Sequence, residues 1–172
     1  ALLRASDLIW APAINTYLRG ERPKPNDLMA WNADGTRMPC RMHSEYLHRL
    51  YLHNELAGGR FSVNGRNISL ADITVPMFVV GTETDHVAPW PSAFKTRALT
   101  RSDDFTFVLT SGGHNAGIVS GPVHPRRRHR QYLWHDATST MDTAQYLESA
   151  ELRAGSWWPT WDQWLTRHSA AE

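Results

Sequence analysis

The chain has 172 residues, 41% of them hydrophobic, enough for one ordinary globular domain with an apolar core. Its 18 Lys and Arg against 17 Asp and Glu leave a formal net charge of +1, so nothing draws it as a whole toward nucleic acid or an anionic membrane. No apolar run approaches the roughly 20 residues of a membrane span, and a single cysteine, Cys40, excludes an internal disulfide framework or a cysteine-based metal site.

These features, with no charged-then-apolar leader, lead us to expect a cytoplasmic protein in a reducing compartment. The start at Ala1, running straight into an amphipathic segment, suggests a piece of a longer chain.

Residues 1–57 read as helical pieces joined by proline-rich turns. Leu8, Ile9, Ala13, Tyr17 and Leu18 fall near one helical face, and Arg19 to Pro25 breaks the pattern. Asn26 offers an N-cap for a short helix through Leu28, Met29 and Trp31. From Met42 to Leu56 the apolar residues recur at three- and four-residue steps, the stripe of one helix. Its histidines, His43, His48 and His53, are spaced by five and on an α-helix would not share a face.

Asn64-Gly65 between short alternating runs predicts a hairpin over Phe61–Leu70. Thr74–Gly81 and Phe105–Leu109 read as buried parallel strands, with a helix over Ser92–Thr100 between them as one right-handed crossover. Ser120–Thr140 reads as a long loop. Asp142 caps a helix expected to run through Tyr146 and Leu152 to Gly155, and Trp161, Trp164 and Leu165 share a face of a last helix.

Each strand leads into a loop with a residue of catalytic type: Asp85 after the first, His114 after the second. Open α/β sheets place ligands and catalytic groups at the C-terminal ends of parallel strands. An Asp there can accept the Nδ1 proton of an imidazole, fixing the tautomer in which Nε2 takes a proton from a nucleophile. Gly112 and Gly113 allow a sharp turn beside His114, and Gly117 leaves room for a close neighbour. Asp85 and His114 are the candidate catalytic pair, in the chain order acid then base. His86 is a candidate substrate contact, with a structural role equally open.

Cys40 has neither a preceding strand nor flanking glycines, so we expect a free, partly buried thiol and not a nucleophile. The run Arg126-Arg127-Arg128-His129-Arg130 is read first as a solvated loop and second as a lure for the diphosphate of a coenzyme A thioester. It lacks aromatic interleaving, so no nucleic-acid partner is expected. His43, His48 and His53 are read as structural, with no metal site and no cofactor.

Several segments, in order, resemble the C-terminal part of the polyhydroxyalkanoate synthases, the poly(3-hydroxyalkanoate) polymerases. They are Asp7-Leu8-Ile9-Trp10, Asn15-Thr16-Tyr17-Leu18, Trp31 to Pro39, Met42 to Leu47, Asp85 to Trp90, Ser111 to Gly117 and Gly155-Ser156-Trp157-Trp158-Pro159. The resemblance implies an α/β fold: the C-terminal portion of an α/β-hydrolase with an incomplete parallel sheet (residues 58–172) and a helical cap-region segment (residues 1–57).

It further implies an acyltransferase that polymerises 3-hydroxyacyl groups from coenzyme A thioesters through a Cys-Asp-His triad, with Asp85 the acid, His114 the base, and His86 matching a family His that is not the base. The implied partners are the remainder of the catalytic domain, a second copy in a homodimer, and the surface of a polymer granule. No Gly-x-Cys-x-Gly elbow occurs in these residues, so the isolated chain is expected to be inactive. Two other readings stay open: a non-catalytic binding or dimerisation module of α/β-hydrolase origin, and half of a hydrolase completed by another chain.

Overall fold

A computed structural model describes residues 10–21, 26–124 and 126–169. Leu8, Ile9 and the segment Arg22 to Pro25, which enter the sequence reading above, lie outside the described residues. The chain divides into two compact units, Ala1–Ser44 and Glu45–Glu172.

In the first unit, α1 (Ala11–Ala13) passes into a wider turn at Ile14–Leu18, closed by the Arg19 N–H on the Ile14 carbonyl. The expected cap is present on α2 (Asp27–Ala33), where the Asn26 side chain accepts from the Met29 N–H at 2.9 Å. Tyr17, Leu18 and Trp31 are exposed. α3 (Cys40–Glu45) follows and buries none of its residues. Cys40, its first residue, is therefore exposed, not partly buried as expected.

The second unit begins where the expected α-helix departs from α geometry. Tyr46–Leu52 winds with i to i+5 hydrogen bonds, ending with the His53 N–H on the His48 carbonyl. In that winding a spacing of five brings side chains together. The rings of His48 and His53 stack at 6.4 Å, contrary to the α-helical expectation. Arg49 binds Glu55 at 2.7 Å and lies 4.4 Å over the Phe61 ring, against the hairpin of β1 (Phe61–Val63) and β2 (Arg66–Ile68). Asn64 and Gly65 both take positive φ, 49° and 77°, the mirror-type turn that the Asn-Gly pair predicts.

The main sheet has four strands in the order β3 (Met77–Thr82), β4 (Phe105–Thr110), β5 (Arg128–Trp134) and β6 (Glu151–Ala154), and it is open. β3 and β4 are parallel, as expected. β5 pairs antiparallel with β4, and β6 antiparallel with β5. Neither was foreseen: β5 lies within the expected loop, and β6 within the expected end of a helix. The intervening helix is two pieces, α4 (Trp90–Phe94) and α5 (Thr96–Leu99), broken at Lys95.

Asp142 does cap α7 (Thr143–Ser149), with its side chain on the Ala144 and Gln145 N–H groups and Gln145 reaching back in a full capping box. The helix stops at Ser149 because Glu151 to Ala154 pair with Arg128 to Gln131. In α8 (Trp158–His168), Trp164 packs on Phe78 at 5.7 Å, while Trp161 and Leu165 stay exposed.

All six residues of β4 are buried, as befits a strand flanked on both sides. Its Phe107 meets Phe94 edge-on at 5.0 Å and Tyr146 edge-on at 5.3 Å. Phe105 and Trp134 extend the cluster at 5.8 Å. Such ring pairs add about 0.5–1.5 kcal/mol each to what their burial contributes. The Tyr146 hydroxyl donates to the Arg130 carbonyl at 3.1 Å, and burial pushes its phenol well above the usual range. Arg97, also buried, donates to the carbonyls of Asp136 and Ser139 and pins the loop after β5.

Phe107→Ala should cost roughly 3–5 kcal/mol of folding stability, read as a lower urea midpoint; a loss under about 1 kcal/mol would mean the aromatic cluster is not the core. A second expectation concerns His129, which is buried with its Nδ1 at 3.2 Å from the Gly155 carbonyl. Burial holds its pKa below the ordinary value. As pH falls through about 6.5 the unfolded chain takes up a proton there that the folded chain refuses, so stability falls with pH. His129→Gln should flatten the fall in thermal midpoint between pH 7 and 5, and an unchanged slope would refute it.

Candidate active site

β3 and β4 run in residue-for-residue register, Gly81 beside Leu109 and Thr82 beside Thr110. Both strands therefore end at the same level, and the loops carrying Asp85 and His114 leave side by side. The two side chains meet: His114 Nδ1 lies 3.1 Å from Asp85 Oδ2.

The Asp85 carboxylate is fully occupied. Oδ1 accepts from the N–H groups of Val87 and Ala88, both at 2.9 Å, and Oδ2 accepts from the Thr82 hydroxyl at 3.2 Å as well as facing His114. The Asp-x-Val-Ala-Pro sequence produces this locally, since an Asp side chain readily binds the N–H groups two and three residues on. Only 8% of the Asp85 side chain is exposed, against 47% for His114. The Ala88 N–H, then His114 and the Val87 N–H, hold the Asp85 pKa far below the usual carboxylate range, and burial only partly opposes them.

His114 opens α6 (His114–Ile118) after a turn that demands glycine. Gly112 has φ +103°. A side chain on Gly117 would start 2.5 Å from Thr82 Cγ2, and one on Gly113 would start 3.0 Å from the Thr84 carbonyl. The two loops touch because these positions are bare. His114 itself has φ +30°, uncommon outside glycine and a conformation that costs about 1–3 kcal/mol unless its surroundings hold it.

The surroundings do hold it. A five-residue helix leaves its last four carbonyls without partners inside the helix. The Asn115 carbonyl takes the Val119 N–H at 2.8 Å, and that of Ala116 takes Arg127 at 2.6 Å. Those of Gly117 and Ile118 take the indole N–H groups of Trp157 and Trp158 at 3.2 and 2.9 Å. The Ser156 hydroxyl donates to the Ser120 carbonyl at 2.6 Å.

Beside the pair opens a cavity of about 230 Å³, walled by Val80, Thr82, Asp85, Ala88, His114 and Ile118. A buried acid on Nδ1 leaves Nε2 as the ring nitrogen for proton transfer, the geometry of a general base. His86 is exposed, one residue from Asp85. Among the described residues no group of three His, Cys, Asp or Glu could hold a metal, and no helix is long and apolar enough to cross a membrane.

Arg126 is exposed in a turn, but from Arg127 on the basic run is not a solvated loop. Arg128 reaches Glu83 at 3.2 Å, His129 is buried, and Arg127 and Arg130 bind backbone carbonyls. Thr82, not among the residues expected at the site, buries its hydroxyl against Asp85. A hydroxyl three residues before a candidate acid was the available signal.

No protein-family model matches the chain. It is 40% identical over 166 residues to the poly(3-hydroxyalkanoate) polymerase subunit PhaC of Rhizobium meliloti (strain 1021), an alignment covering 96% of this chain and 26% of that protein. Against the subunit PhaC of Cupriavidus necator the identity is 36% over 173 residues, covering 100% and 28%. Against the poly(3-hydroxyalkanoate) polymerase of Methylorubrum extorquens it is 38% over 164 residues, covering 95% and 26%. The chain thus spans about a quarter of the length of the curated relatives it matches. With an open α/β sheet and matches along nearly its whole length, the chain belongs to the poly(3-hydroxyalkanoate) polymerase family.

Proposed function

We propose that this chain supplies the acid and base of an acyltransferase that polymerises 3-hydroxyacyl groups from coenzyme A thioesters. The observation that carries the reading is the 3.1 Å contact of His114 Nδ1 with Asp85 Oδ2 at the flush ends of two parallel strands. The nucleophile is a cysteine in an elbow contributed by the remainder of the catalytic domain. Residues 1–57 act as the cap-region segment and 58–172 as the final part of that domain.

In this mechanism His114 Nε2 removes the proton of the cysteine thiol, and the thiolate attacks the thioester carbonyl. The carbon–sulfur bond to coenzyme A breaks, and the imidazolium returns its proton to the departing thiolate. The hydroxyl of a second hydroxyacyl group then gives its proton to His114 and attacks the acyl-cysteine, forming the ester bond and freeing the cysteine. Asp85 stays ionised throughout, fixing the imidazole tautomer and stabilising the cation. Coenzyme A thioester is substrate and no cofactor takes part. The isolated chain, lacking the elbow, is inactive.

The activity test replaces the matched segment of the Cupriavidus necator polymerase by this chain and follows thiol release from 3-hydroxybutyryl coenzyme A. The chimaera should turn over, its His114→Ala form should lose roughly 10³-fold or more, and the isolated chain should release nothing. A His114→Ala chimaera as fast as its parent would sink the assignment.

A second expectation concerns charge. Because its folded pKa is depressed, Asp85 contributes stability that is fully present above about pH 3.9 and lost as pH falls through the lower folded value. With the Ala88 N–H the largest cause, His114→Ala should raise the Asp85 midpoint yet leave it below about 3.9 in a carboxyl-carbon NMR titration. A midpoint above the ordinary value would show that His114 alone keeps Asp85 charged.

A further inference from the structure

We propose that Arg127 is the positioning residue for His114, clamping both ends of the turn that carries the base; this role rests on the Asp85–His114 reading above. Arg127 sits in the basic run and is half-buried. Its Nη1 donates to the Ser111 carbonyl at 3.0 Å and its Nη2 to the Ala116 carbonyl at 2.6 Å. Those carbonyls are five residues apart and straddle Gly112, Gly113, His114 and Asn115. One planar fork thus fixes the entry and the exit of the turn at once.

The turn needs such a clamp. Two of its four inner residues have positive φ, Gly112 at +103° and His114 at +30°. Gly112 serves the clamp as well: a side chain there would collide with Arg127 Nη1. The clamp has a fixed base, since the Ser111 N–H binds the Arg128 carbonyl at 2.9 Å, the Arg128 N–H binds the Ser111 hydroxyl at 3.2 Å, and the Gly155 N–H binds the Arg127 carbonyl at 2.6 Å. Arg127 Nε is buried with no acceptor among the described residues, so the side chain gives up hydration that only the two carbonyl bonds offset. Lysine could not substitute, because its ammonium is a point donor without the fork that reaches two acceptors. Arg127 makes no bond to Asp85 or to the His114 ring; it acts through the backbone.

The test uses the whole chain with ¹⁵N-labelled histidine. In the unsubstituted chain His114 should show a single tautomer with a downfield Nδ1 proton, and Asp85→Ala should lose that proton. Arg127→Met should average the two tautomers while circular dichroism stays unchanged, and added methylguanidinium should restore the single form. Arg127→Lys keeps the charge and most of the stem, guarding against a Met variant that does not fold, and should also show averaging. In the chimaeric polymerase, Arg127→Lys should lower kcat by about 10–100-fold with KM within about twofold. A folded Arg127→Lys chain with the wild-type imidazole spectrum overturns the proposal and leaves the pair intact. If the unsubstituted chain lacks the Nδ1 proton, the pair itself fails, and the role of Arg127 with it.

Discussion

Everything at the candidate site depends on the register between β3 and β4. Thr82 lies beside Thr110, so two chain segments 28 residues apart reach the sheet edge together and turn outward at one point. A shift of one residue would face every side chain of the strand the other way and carry one loop out of reach of the other. That register is held by burial. β4 is buried along its whole length, and Phe107, Phe94 and Tyr146 meet edge to face behind it. The aromatic core therefore sets where His114 stands relative to Asp85.

Around this register the molecule solves an accounting problem. A sharp turn into a helix of one turn leaves many carbonyls without partners, and each buried one carries a cost if left bare. The answer comes from far along the chain, from Arg127, Trp157 and Trp158. The same residues that complete the hydrogen bonding also make the turn rigid. Stability and site geometry are one set of contacts here.

What could be read in the sequence was local. Asn64-Gly65 announced its hairpin, Asn26 and Asp142 their caps, and the runs before Asp85 and His114 their strands, because each signal lies within a few residues of its effect. β5 was hidden by its own composition: Arg128, His129, Arg130 and Gln131 look like a solvated stretch, yet His129 and Gln131 are buried, and His129 meets the Gly155 carbonyl only after folding. β6 was hidden by the strong cap before it, which predicted a longer helix than the pairing with β5 permits. The winding at Tyr46–Leu52 changed which histidines are neighbours, and no residue there marks it in the sequence. Asp85 and His114 were legible as a pair by type and order. Arg127 was not, because its partners are backbone carbonyls, which every residue has.

The indole bonds to α6 also bear on the order in which the parts come into being. A chain made from its N terminus releases Asp85 and His114 well before Ser156, Trp157 and Trp158, whose side chains cover the carbonyls behind the base. The acid has its donors at once, in Val87 and Ala88. During synthesis the Asp85 carboxylate is held first and the turn at His114 is completed in two stages, by Arg127 and then by the two indoles, so a chain ending at Gly155 would leave the Gly117 and Ile118 carbonyls without their indole partners.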